Sequence, residues 1–170
     1  MSMHSSLNQV VAAIAVVATL AMSQPVRAQE ADGLSAADRA AAFKASGAIR
    51  RGGEWVSCPD DPHGGEATLG EVRDLNGDGR PEVVIEGHGT FCYGSTEAGY
   101  TLLSKQADGG WKVMDSNNGI AEFLKTVGKD GWPDISIGGP GFCFPVLRWN
   151  GREYAVHRHE YEGKACRPGE

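Results

Sequence analysis

The sequence predicts a mainly β chain of the α+β class, two pseudo-repeated three-stranded antiparallel units held by disulfides. Three observations carry that expectation. The stretch "DGRPEVVIEGHGTFC", Asp78 to Cys92, recurs as "DGWPDISIGGPGFC", Asp130 to Cys143, with one residue deleted. Each copy is followed by two β-prone runs joined by a turn, at Asp108-Gly109 in the first and Asn150-Gly151 in the second. Such Asx-Gly pairs between alternating residues are strong hairpin signals, because both turn positions take positive φ. Finally, an even set of four cysteines, Cys58, Cys92, Cys143 and Cys166, contains no C-x-x-C and suits two disulfides of an exported chain better than a zinc site.

The N-terminus sets the compartment. Val10 to Met22 is apolar and uncharged but shorter than the ~20 residues that span a bilayer. Val26-Arg27-Ala28 follows as a small-residue cleavage pattern, so residues 1–28 read as a signal peptide and 29–170 as one domain. The absence of Lys or Arg before the apolar run departs from the usual signal. A formal charge of −6, one more negative without Arg27, argues against nucleic acid or anionic lipid as partner.

After the leader, Ser35 with Asp38 three residues on predicts a capped helix over about 36–48, ending near Gly52 and Gly53. The repeat units are expected over about 74–115 and 126–161. Between them, Ile120, Phe123, Leu124 and Val127 stand at helical spacing and predict a short inter-repeat helix or turn. Approximate symmetry of the units would bring the equivalent Cys92 and Cys143 together and leave Cys58 for Cys166. A two-residue Asn150-Gly151 loop would set Cys143 opposite Arg158, which speaks against a Cys143 to Cys166 bond.

The first repeat opens on "DLNGDGRPEVVI". Side-chain oxygens fall at loop positions one, three, five and nine, Asp74, Asn76, Asp78 and Glu82, with the Arg80 carbonyl at seven and Gly79 at six. Calcium takes such a hard oxygen set, and carboxylates this close repel one another unless a cation joins them. The alternative is an Asx turn held by its own backbone with no ion. An EF-hand is excluded, because position twelve is Ile85 and Pro81 leads into β-branched residues instead of a helix.

The stretch resembles the calcium loop of FG-GAP and VCBS-type repeats, D-x-[DN]-x-D-G-x-x-[DE] leading into a strand, which builds blades of integrin α-subunit propellers and recurs in secreted bacterial proteins. That resemblance implies one structural calcium on Asp74, Asn76, Asp78, Arg80 and Glu82. The second copy keeps Asp130, Gly131 and Asp134 but has Thr126 and Gly128 at the leading ligand positions, so it is expected to be a turn without metal. A complete propeller needs more strands than the chain provides.

Other polar groups carry weaker signals. His157 and His159 would share a strand face and offer two metal ligands without an evident third. His88 lies in a glycine-rich turn, and Asp60, Asp61, His63 and Glu66 cluster in a Pro/Gly-rich loop. Tryptophans Trp55, Trp111, Trp132 and Trp149 suit core packing better than a ligand groove. The glycines of "GGPGFCFP", Gly138 to Pro145, permit close approach to a ligand or a tight strand crossover. No G-x-S-x-G, H-E-x-x-H or phosphate-binding loop is present. The expectation is therefore a non-enzymatic, calcium-stabilised binding or interaction module, periplasmic or extracellular, for a protein or glycan ligand. An envelope-polymer hydrolase using His88 or the Asp60/Asp61 loop, and a hydrolase inhibitor, are the alternatives.

Overall fold

Ser35 accepts a hydrogen bond from the Asp38 N–H at 3.1 Å, and that cap opens α1, Ala36–Ala45, in the computed structural model of the chain, which describes residues 33–169. The expected signal peptide lies outside the described residues. The helix stops short of residue 48 because Gly47 turns at φ +89°. Gly52 and Gly53 serve a different purpose from the helix stop expected of them. At φ +59° and +94° they form the two-residue turn that joins β1, Ile49–Arg51, to β2, Glu54–Cys58, with Arg51 opposite Glu54.

The first sheet continues through β3, Gly65–Arg73, β4, Glu82–His88, β5, Ala98–Lys105, and β6, Trp111–Asn118, in the order β1-β2-β3-β4-β5-β6. A short helix α2, Thr90–Tyr93, lies between β4 and β5. The second sheet holds β7, Ile120–Val127, β8, Pro133–Gly138, β9, Phe144–Trp149, β10, Tyr154–Tyr161, and β11, Lys164–Ala165, in the order β11-β10-β9-β8-β7. Every recorded pairing is antiparallel.

The expected three-stranded units are present as β4-β5-β6 and β8-β9-β10. Each is extended by a leading strand, β3 or β7, so the repeated turn joins the first two strands of a four-stranded meander. The expected inter-repeat helix is overturned: its residues form β7, paired with β8 from Ile120 opposite Gly138 to Phe123 opposite Ile135. A helix this short is marginal in water, whereas pairing with β8 satisfies the backbone and buries alternate residues.

Alternation along β4 builds two cores. Val83 and Ile85, with Leu103 of β5, pack under Phe43 and Ala42 of α1. Val84, with Tyr100 and Leu102, faces Ile135, Leu147 and Trp149 of the second sheet. The layers are thus α1, first sheet, second sheet, and the outer face of the second sheet has no such cover among the described residues.

The cysteines pair Cys58 with Cys92 and Cys143 with Cys166, at Cα separations of 6.0 and 5.7 Å, which overturns both expected bonds. The expected β9–β10 register does not form, because the loop has four residues, Trp149 being opposite Tyr154, and a bulge between Val156 and Arg158 shifts the register again. β11 then folds back on β10, and the Cys166 N–H donates to the His159 carbonyl at 3.1 Å. Two disulfides place the chain in an oxidising, non-cytoplasmic compartment. No helix among the described residues is long and apolar enough to cross a membrane.

Candidate functional site

Strands β3 and β4 meet with Arg73 opposite Glu82, which closes the Asp74 loop between them. Asp74 is its hub: Oδ1 accepts the N–H of Gly77 at 2.7 Å and of Asp78 at 3.2 Å, and Oδ2 accepts that of Gly79 at 2.8 Å. Gly77 and Gly79 hold φ of +79° and +82°, conformations the winding requires. Asn76 Oδ1 accepts from the Asp78 N–H at 3.0 Å, and Asp78 Oδ1 from the Arg80 N–H at 2.9 Å. These donors, Gly79 N–H foremost, hold the Asp74 carboxyl below its ordinary range.

Glu82 sits beneath the loop, 1% exposed. Its Oε2 accepts the Leu75 N–H and its Oε1 the Ser104 hydroxyl, both at 2.8 Å. Burial pushes its carboxyl up, the two hydrogen bonds pull it back, and the charges of Asp78 and Asp74 add to the rise. Arg80 donates from Nε to the Lys105 carbonyl at 3.0 Å and pairs its guanidinium with Asp78 Oδ2.

The donor set fits calcium in chemistry, oxygen only and acidic, and the loop is already wound around Asp74. The carboxylates nevertheless do not converge: no three His, Cys, Asp or Glu side chains among the described residues are grouped to hold a metal. Arg80 competes for Asp78, and Glu82 is engaged by Leu75 and Ser104.

The second loop is satisfied by its own cations. Asp134, 0% exposed, accepts from Arg148 Nε at 2.9 Å and Nη2 at 2.8 Å, Arg158 Nη1 at 2.7 Å and the Thr126 hydroxyl at 2.6 Å. Burial alone would raise this carboxyl, but the arginines and the threonine outweigh it and hold the group well below the usual range. The two loops abut. A Cβ on Gly131 would lie 2.8 Å from the Asn76 carbonyl oxygen, and a hollow of about 190 Å³ between the loops is lined by Asn76, Asp78 and Asp130, among others.

The outer face of the second sheet carries a trough of about 590 Å³. Ile120, Leu124, Phe144 and Tyr161 supply its apolar lining, and Glu122, Glu160 and Glu162 its charge. Phe142 and Phe144 place their rings 6.4 and 6.2 Å from that of Tyr161. Ile120 and Phe142, 65% and 60% exposed, are unusually open for their type. The "GGPGFCFP" turn thus lies beside a concave surface, while the Ile120 side of it is formed by a strand whose residue spacing favours a helix.

The remaining candidates are scattered. The Val156/Arg158 bulge interrupts the alternation on which a shared face for His157 and His159 rested. His88 is exposed, with Nε2 3.3 Å from Thr68 Oγ1. Asp61 is a buried turn residue whose Oδ1 accepts the His63 N–H at 2.8 Å, while Asp60 and Glu66 are exposed. The tryptophans pack: Trp55 stacks on Phe43 at 5.0 Å, Trp111 packs against the α1 core, and Trp132 and Trp149 belong to the inter-sheet core. No family model, curated protein or solved structure matches the chain. The FG-GAP/VCBS resemblance therefore rests on the loop residues alone.

Proposed function

We propose that this chain is an exported binding module, periplasmic or extracellular, that receives a basic polypeptide segment on the outer face of its second sheet. The observation that carries the reading is the uncovered trough, with apolar walls for a side-chain anchor and Glu122 and Glu162 for flanking Lys or Arg, Glu160 being already paired with Arg158. Inhibition of a hydrolase would be one form of the same activity. Titration of ¹⁵N-labelled protein with short Leu/Lys peptides tests it. Saturable shifts at Glu122, Ser136 and Phe144 are expected, weakened by Phe144→Asp. Equal binding of matched Leu/Glu peptides would overturn it.

We further propose that the Asp74 loop takes up one structural calcium through the Asp74, Asn76, Asp78 and Glu82 side chains and the Arg80 carbonyl, the ion displacing the Arg80 guanidinium from Asp78 and gathering carboxylates that stand apart without it. The ion would supply positive charge among repelling carboxylates and restrain the β3–β4 connection. Calorimetric unfolding with EDTA and with millimolar calcium is the test, and an unchanged melting temperature would end the proposal.

A further inference from the structure

We propose that a hollow between the two sheets, distinct from the Asp74 loop and meeting the trough only at Ile120, binds a small organic ammonium ion. The hollow encloses about 400 Å³, inside the ~300–1,000 Å³ typical of small-ligand sites. Val84 and Tyr100 of the first sheet and Ile120 and Ala121 of β7 give it apolar walls. Its charged lining is Glu86 and Glu97, with the His88 imidazole beside them and no Lys or Arg.

Glu86 differs from the other inward acids of this chain. Glu82 has a backbone amide and a hydroxyl, Asp134 has two guanidinium groups, Asp61 holds the His63 N–H, and Asp115 takes the Tyr100 hydroxyl and the Asn117 amide. The Glu86 side chain, half-buried on the same strand face as Val84 and His88, makes no hydrogen bond or ion pair with any described residue, although its backbone pairs in the sheet. The Glu97 side chain has none either, but it is exposed, so the cost of a missing partner falls on Glu86. A carboxylate against apolar walls without a partner is costly, and a cation entering the hollow supplies that partner.

The walls are built to shape. Gly70 gives Glu86 its seat, since a Cβ there would lie 2.7 Å from Glu86 Oε1. Glu97 is held at φ +51°, a left-handed conformation that non-glycine residues keep only where the surroundings enforce it. At Gly119 the chain passes from the first sheet to the second so close to β8 that a Cβ would lie 2.6 Å from the Gly138 carbonyl, which sets the spacing of the sheets at the mouth. Two carboxylates suit a positive head, and the aliphatic and tyrosyl walls suit an organic stem better than a bare metal ion.

The probe is benzylammonium, followed by backbone amide shifts of the whole protein, with benzyl alcohol as neutral control. Saturable shifts at Ala98, Gly99, Gly119 and Ala121 are expected, with benzyl alcohol about tenfold weaker and Glu86→Gln about tenfold weaker for the amine. Should Glu86→Gln fail to fold, Ala98→Leu, which fills the hollow without altering charge, is expected to block the amine. A second arm uses Nα-acetyllysine methylamide: saturation by benzylammonium assigns a free amine, and saturation by the lysine derivative alone assigns a partner's lysyl side chain. Equal binding of the alcohol, unchanged affinity in a folded Glu86→Gln or Ala98→Leu protein, or no saturable shifts there with either cation overturns the proposal.

Discussion

In the first repeated turn Glu82 is 1% exposed and is held by a backbone amide and a serine hydroxyl; in the second, Asp134 is 0% exposed and is held by two arginines and a threonine. The difference begins with one cross-strand position. Ser104 lies opposite Glu82, and the register of Ile135 with Leu147 puts Arg148 opposite Asp134. Where the second repeat brings guanidinium groups to its acid, the first offers Glu82 only neutral donors, and this is why the calcium proposal attaches to the first turn alone. The cysteines diverge in the same way. Cys92 and Cys143 occupy equivalent positions, yet one ties its unit backward to β2 and the other ties its unit forward past β11.

The largest expected effect tests that stapling. The bonds span sequence separations of 34 and 23 residues, so removing either pair by Ser substitution is expected to cost about 3–4 kcal/mol in urea unfolding. A much smaller loss for one pair would mean that its unit is held by packing alone.

Next comes Asp134→Ala, which strands two arginines. A loss of about 2–3 kcal/mol is expected, below that of a fully buried pair because Arg148 and Arg158 reach solvent. Glu82→Ala should cost about 2 kcal/mol by leaving the Leu75 amide and Ser104 hydroxyl without their acceptor. If Glu82→Ala proves the more damaging in calcium-free buffer, the contrast drawn between the turns is wrong. Gly131→Ala, at φ +77° and pressed on Asn76, should cost about 1 kcal/mol, and a neutral outcome would show that the loops do not abut.

The last prediction is one of sign, read from melting temperature against pH. Asp134 is depressed in the folded state, so its contribution is full above the unfolded Asp value of about 3.9 and is lost as pH falls below it. Glu82 is raised, so its folded state favours the proton, and stability falls as pH rises from about 4.3 through the folded value. Asp134→Asn is expected to flatten the acid limb, and Glu82→Gln to remove the decline on its neutral side.

The repeated turn, the hairpins after it and the Ser35 cap were readable because each depends on neighbours in sequence: glycine at positive φ, proline ahead of a strand, a hydroxyl within reach of an N–H. The oxygen donors of the Asp74 loop were readable for the same reason. The strand β7 was not, since Ile120, Phe123, Leu124 and Val127 match a helical period and break strand alternation: Phe123 packs on the inter-sheet core while Ile120 and Leu124 line the outer trough, and only the edge of β8 decides for a strand. Gly52-Gly53 was open to reading as a hairpin, but the preceding alanine-rich helix gave those glycines a competing role.

Disulfide partners, the donors that answer each acid, and the hollow beside Glu86 depend on what lies across a sheet or between sheets. A bulge at His157 and a four-residue loop at Asn150 were enough to change which residue faces Cys143. Local chemistry thus specified the turns and their oxygen-rich side chains. The packing of two meanders specified which of those side chains are satisfied within the chain and which face a place for something else, because long-range pairing brings together residues whose spacing along the chain says nothing of their distance.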